Sequence, residues 1–410
     1  METENKGKAL SSILIAALIF GTALMSGLTA YNYSQLAAHH TSRPIGETAN
    51  AHREINLPGF PVSVGLNIKV LDNNGSLVRD ITHPNDLILN NFIHWWAIMT
   101  LGTSESMTTD GNSAGNVGDT LYTSYGSGAG NFYNFGGVTP GYGGYIGIGT
   151  GTTTPARTDY ALTTKVGSYS AVDSAIYIQG AQTITFASGF TLTSGATISE
   201  AGYFTRADSG SYYMLFHDTF TGIAVSADQS VQIQYTLNLP ATTMVNLAVY
   251  LAAALQSCQA SAESATCYNE YAMTTTSGAA VNAGTLAMFG DYYCGYECYC
   301  PSLACLASDY LLVGTGSAVA ITDHILDSQV GPTTTSETTT VDMTNYKVLA
   351  LATIPLTTGY TISESGLYVT STVAMSTSPG NYQFMFAHNS FSGAAVPASS
   401  SITVLDTWSF

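Results

Sequence analysis

The side chains with the strongest claim to chemistry are six cysteines, Cys258, Cys267, Cys294, Cys298, Cys300 and Cys305. An even number in one segment suits three disulfides in an oxidising compartment, with fifteen pairings that spacing does not resolve. Zinc is the alternative, because Cys294-x3-Cys298-x-Cys300-x4-Cys305 is dense enough to chelate. The run lacks paired Cys-x2-Cys knuckles, so disulfides are expected and no metal. His217 stands beside Asp218, which by type is half of a catalytic pair. Adjacent strand residues point to opposite faces, however. His388 is followed by Asn389 at the matching place, and no Ser or Cys partner is indicated. Both histidines are therefore read as structural. Glu200 and Glu364 also match each other; a carboxylate there can accept backbone or hydroxyl hydrogen bonds, whereas general-acid chemistry needs a second carboxylate that is not identified. Gly147-x-Gly149-x-Gly151 invites comparison with a nucleotide-binding motif, yet it opens no helix in a βαβ unit. A tight turn is expected there, and no cofactor.

These residues sit in a chain that repeats itself. Thr197-Ile198-Ser199-Glu200-Ala201-Gly202-Tyr203-Phe204 returns as Thr361-Ile362-Ser363-Glu364-Ser365-Gly366-Leu367-Tyr368. Upstream, Gly149-Thr150-Gly151 with Thr158-Asp159-Tyr160 returns as Gly314-Thr315-Gly316 with Thr322-Asp323-His324. Downstream, Met214-Leu215-Phe216-His217 returns as Met385-Phe386-Ala387-His388. Three blocks in one order predict two related domains, since the period is too long for a solenoid unit.

Each copy reads as all-β. Val, Ile, Thr, Tyr and Phe alternate with polar residues over short runs such as Val231-Gln232-Ile233-Gln234-Tyr235, which sets one face on a core and one in water. Asp72-Asn73-Asn74-Gly75 between two such runs is a hairpin signal. Regular short strands without intervening helices predict β-sandwich or jelly-roll-like domains. One helix is expected in each copy, over Phe92–Met99 and Met244–Leu255. The expected division is an anchor helix at 1–38, a linker at 39–61, a first domain at 62–240 and a second at 241–410 carrying a Cys-rich insertion at 257–308. Gly102–Gly144 is the corresponding insertion in the first copy. Trp95 and Trp96 are read as packing residues. Asn32 and Asn74 head glycosylation-type sequons, and Asn74 at a hairpin tip is the better acceptor.

From Ala9 to Ala38 no residue is charged. Ile13, Leu14, Leu18, Ile19, Phe20 and Leu24 supply the apolar body of a helix long enough for the ~20 residues a bilayer demands. Lys6 and Lys8 precede it, which places everything after Tyr33 outside. A cleaved signal peptide is the alternative, although its apolar region should run only ~7–15 residues.

Composition agrees with an exterior location. Only 9% of residues are charged, and the formal net charge is −17, against about 25% charged residues in typical soluble domains. Ser, Thr, Gly and Tyr take their place. Of ten basic residues only Lys347 lies beyond Arg206, which leaves no basic patch for a phosphate backbone, so nucleic-acid binding is not expected. Strong acid would neutralise most of the 27 carboxylates and charge the eight histidines; a hydroxyl-rich surface changes solvation little on that journey, which suggests a hot-acid habitat.

The order Leu87-Ile88-Leu89-Asn90-Asn91-Phe92, then Ile146–Gly151 with Arg157-Thr158-Asp159, then Ile198–Phe204 resembles β-rich exterior domains of virions, including turret, spike and tail-fibre proteins of archaeal viruses. The resemblance covers residues 62–239 and, less completely, 244–410, where the Arg before Thr322-Asp323 is missing. It implies a non-enzymatic jelly-roll-like module in several copies. Lys8–Leu14 separately resembles the processing site of archaeal type IV pilins, although Pro44 would end a long stem helix early. The expectation is a membrane-anchored structural or attachment protein that self-associates, meets other structural proteins, and contacts a host receptor or glycan. A pilin-like filament subunit is the first alternative and a surface-anchored hydrolase the second.

Overall fold

Alternating apolar and polar residues, broken by Gly, Asn and Ser, produce strands almost throughout the chain. The computed structural model describes residues 52–57, 60–84, 86–101, 103–110, 120–124, 143–172, 174–206, 212–255, 272–282, 308–333, 335, 337–373 and 380–410. The first half comprises β1 (His52–Asn56), β2 (Phe60–Pro61), β3 (Ser63–Leu71), β4 (Leu77–His83), β5 (Leu87–Ile88), α1 (Asn90–Leu101), β6 (Ser104–Thr108), β7 (Thr120–Ser124), β8 (Gly143–Gly149), β9 (Lys165–Ala171), β10 (Ser174–Ile178), β11 (Thr183–Thr191), β12 (Ala196–Arg206), β13 (Tyr212–Val225) and β14 (Ser230–Asn238). The second comprises α2 (Val245–Leu255), β15 (Ala272–Thr274), β16 (Ala280–Asn282), β17 (Ser308–Gly314), β18 (Gln329–Val330), β19 (Glu337–Asp342), β20 (Lys347–Leu356), β21 (Tyr360–Val373), β22 (Gly380–Val396) and β23 (Ser400–Ser409).

Two five-stranded sheets face each other in the first half, ordered β10-β11-β14-β3-β4 and β5-β13-β12-β8-β9. Alternation fixes their faces: Val64, Leu66, Ile68 and Val70 of β3 are buried while the residues between them are not. Rings bridge the sheets, with Phe186 of β11 4.8 Å from Tyr203 of β12 and Tyr235 of β14 5.8 Å from Phe216 of β13. In the second half β18-β17-β21-β22 and β19-β20-β23-β1 form the corresponding pair, sharing a core that includes Val313, Ile354, Ile362 and Val404.

The repeated sequence blocks occupy matching places. Thr197–Phe204 lies in β12, between β13 and β8; Thr361–Tyr368 lies in β21, between β22 and β17. Both central strands carry register shifts after their isoleucine, Ile198 or Ile362, and again after Tyr203 or Leu367. Bulges at the same two places re-aim the same side chains. The two helices form where expected. α1 is buried around nearly its whole circumference, as a helix without a polar face must be. Its Asn91 binds Thr108 N–H and the carbonyls of Thr108 and Met214. Asn246 of α2 does the same with Thr274 N–H and the carbonyls of Thr274 and Met385.

Three expectations change. Residues 52–56 and 60–61, assigned to a linker, are strands that pair in parallel with β23. The insertions contain ordered hairpins, β6–β7 and β15–β16, rather than loop alone. Packing also continues across residue 240, since Trp96 of α1 lies 6.5 Å from Trp408 and 5.5 Å from Phe410, and residues 50–410 cluster as one compact unit.

Candidate functional site

The bulge after Ile198 turns Glu200 inward, where its carboxylate is fully buried. Glu200 Oε1 lies 3.0 Å from His217 Nε2, and the opposite ring nitrogen, Nδ1, lies 2.8 Å from Asp159 Oδ2. His217 is held by β13 and Asp159 by the connection between β8 and β9. Three backbone N–H groups, of Gly151, Thr163 and Thr164, also donate to Glu200. Asp159 closes its own turn by accepting from Ala156 N–H.

The second half builds the same arrangement. His388 Nε2 lies 3.0 Å from Glu364 Oε2, and its Nδ1 lies 2.9 Å from Asp323 Oδ2. Glu364 accepts from the amides of Gly316, Asp327 and Ser328, and Asp323 from Ala320 N–H. The hydroxyls of Ser199 and Ser363 donate to the carbonyls of Gly151 and Gly316. Each imidazole thus clamps a long connecting loop onto the central sheet.

The glycines make room for this clamp. A Cβ on Gly149 or Gly151 would run into the Glu200 carboxylate, and one on Gly314 or Gly316 into that of Glu364. Gly147 and Gly149 lie in β8 itself, so the expected tight turn is replaced by close approach of a side chain. Gly147 faces the Tyr169 ring, whereas its counterpart in the register of the second half is Leu312.

Burial alone would raise the Glu200 pKa, but hydrogen bonds from His217 and from the Thr163 and Thr164 amides outweigh it and hold the carboxyl down to about 2. Burial opposes charge on His217 as well, yet Glu200 and Asp159 prevail and raise its pKa. The surroundings of the first clamp therefore favour the protonated form of the His217 ring. With both ring nitrogens committed and the side chain 2% exposed, His217 has no lone pair to offer a substrate or a metal ion. Among the described residues no group of three His, Cys, Asp or Glu side chains is arranged to hold a metal.

An open cleft of about 370 Å³ lies at the edge of the first half, lined by Asp110, Lys165, Ser168, Tyr169 and Tyr212. Lys165 Nζ sits 4.1 Å from the centre of the Tyr169 ring, which in turn lies 4.7 Å from Tyr212. Burial pushes the Asp110 carboxyl up to about 6, against the pull of Lys165. Both rings are already engaged, Tyr169 with Phe204 and Tyr212 with Tyr145.

Reading Asp218 as facing away from His217 agrees with the structure, where Asp218 meets His83 at 3.3 Å instead. The second carboxylate, Asp159, was missed as a partner although it recurs as Asp323 in the matched blocks. Arg157, which the second copy lacks, has a task needed only once. Its guanidinium donates to the carbonyls of Ile88 and Phe410 and stacks 3.9 Å from the Tyr346 ring, tying the halves together. Trp95 and Trp96 are fully buried core residues. Asn74 lies exposed at the β3–β4 hairpin tip, its N–H bound by Asp72. The six cysteines, Asn32 and the anchor residues Ile13, Leu14, Leu18, Ile19, Phe20 and Leu24 lie outside the described residues. Among the described residues no helix is long and apolar enough to cross a membrane. The chain matches no family model, no curated protein and no solved structure.

Proposed function

We propose that this chain is a non-enzymatic structural or attachment protein. Its two copies are tandem jelly-roll-like β-sandwiches, carried outside a membrane by an N-terminal apolar helix, on the exterior of a virion. The observation that carries this reading is the duplicated clamp. In both copies the Asp-His-Glu constellation is sealed by its own hydrogen bonds and serves to fasten a loop. Low charge and a hydroxyl-rich composition agree with an exterior, adhesive role. The filament-subunit alternative shares every one of these features except the particle. Electron microscopy of the native assembly, with membrane flotation of the full chain, separates them. A spike on a membrane-bearing particle is expected; a filament with packed apolar stems would move the protein to the alternative. Isolated molecules with hydrolytic turnover would overturn the structural reading.

A further inference from the structure

The sheets of the two halves differ at one edge. In the first half β14 pairs antiparallel with β3, and β3 continues by a hairpin into β4. The second half has no described strand of its own at that position; after β14 the chain passes into α2. The free edge of β23 is filled instead by β1, which arrives from the opposite end of the chain and runs parallel, His52 against Ser401 through Asn56 against Leu405. A bare β23 edge would leave a row of backbone donors and acceptors unpaired, next to the buried side chains of Ile402 and Val404.

The donated strand is held mainly by its backbone. His52, Arg53, Glu54 and Asn56 are exposed and Ile55 is half-buried. Only Leu57, whose N–H donates to the Leu405 carbonyl, is buried in the second half's core. Backbone ladders carry no record of which chain supplied the strand, so a neighbouring copy offers the same hydrogen-bonding groups. Pro58-Gly59, a chain-redirecting dipeptide by sequence, separates β1 from β2, which remains on its own β23 through Phe60 and Pro61.

We propose that β1 is an exchangeable strand: in the assembled protein, His52–Leu57 of one copy completes the β23 edge of the next, and the pairing within one chain is the unassembled form. The partner is a second copy of this chain. The inference rests on the reading as an assembling structural protein and specifies how copies are joined.

The test places His52→Cys in one full-length chain and Ser401→Cys in another. His52 is exposed and Ser401 half-buried, and their side chains already meet at 3.1 Å. The chains are mixed, allowed to assemble, oxidised and run without reductant. Exchange predicts a dimer band that needs both variants, is absent from either alone, and disappears on reduction. Each variant alone must melt as the parent chain does. If particles or filaments form but the bond appears only when both cysteines are in one chain, strand exchange is overturned and the structural reading stands. Monodisperse single chains with only the intrachain bond would overturn both.

Discussion

Asp406 makes the stability of this fold depend on acid in a measurable way. It lies in β23 with no exposed surface, in the position that Tyr235 occupies in β14. Asn389 Nδ2 donates to its Oδ1 at 3.0 Å, and Oδ2 has no hydrogen-bond partner among the described residues. Burial pushes this carboxyl from its ordinary 3.8 to about 7, with the Asn389 bond opposing. Between those two values the unfolded chain releases its proton and the folded chain keeps it, so stability falls as pH rises. A rise of about three units corresponds to roughly 4 kcal/mol, at about 1.36 kcal/mol per unit. Asp406→Asn keeps the shape of the protonated acid and cannot ionise. Urea unfolding of the full chain at pH 4, 6 and 8, followed by circular dichroism, should show the two proteins close at pH 4. By pH 8 the variant should be ahead by roughly 4 kcal/mol. Identical pH dependence in both would refute the reasoning. Glu200 works at the other end: its depressed pKa gives stability that is present above its unfolded value and lost as pH falls through about 2. His217, raised, contributes below its ordinary value of 6.5 and loses that contribution as pH climbs through its folded value. Asp406 and His217 thus favour a lower pH, whereas Glu200 sets the acid limit.

Removing an imidazole should strand a buried carboxylate. His217→Ala and His388→Ala are each expected to cost about 3–5 kcal/mol in chemical denaturation, and Glu200→Gln added to the first should restore part of it. Gly149→Ala, whose Cβ would press on Glu200 and the Thr164 carbonyl, should cost about 1–3 kcal/mol in thermal melts. Arg157→Ala should speed hydrogen exchange at the Phe410 amide, which donates to the Tyr346 carbonyl, and lower stability by about 2 kcal/mol. Non-reducing peptide mapping is expected to find three bridges among Cys258–Cys305; six free thiols or stoichiometric zinc would contradict it.

Period and alternation carried the local architecture. The β3–β4 hairpin, both helices and the matched central strands follow from turn chemistry and apolar spacing, which act within a few residues. The clamp was half legible. Glu200 and His217 stood out as recurring, but the neighbour Asp218 drew the comparison away from Asp159, whose approach depends on how the β8–β9 connection folds back. That all three members recur together, as Asp323, Glu364 and His388, was the available signal. The glycines were misread because a space left for a buried carboxylate and a turn require the same residue. β1 left no signal at all: its partner is at the other end of the chain, and its residues are mostly exposed and polar.

The parallel pairing of β1 with β23 also determines how the protein bears load. A pull on the N-terminal side of β1, resisted at the C-terminal side of β23, draws the two strands past each other along their axes. Every backbone bond of the ladder from His52–Ser401 to Asn56–Leu405 then resists at once, instead of opening one after another as in a hairpin peeled from its end. Whether β1 comes from the same chain or the next, a ladder pulled in this way is loaded in shear, the direction in which a short ladder is mechanically strongest.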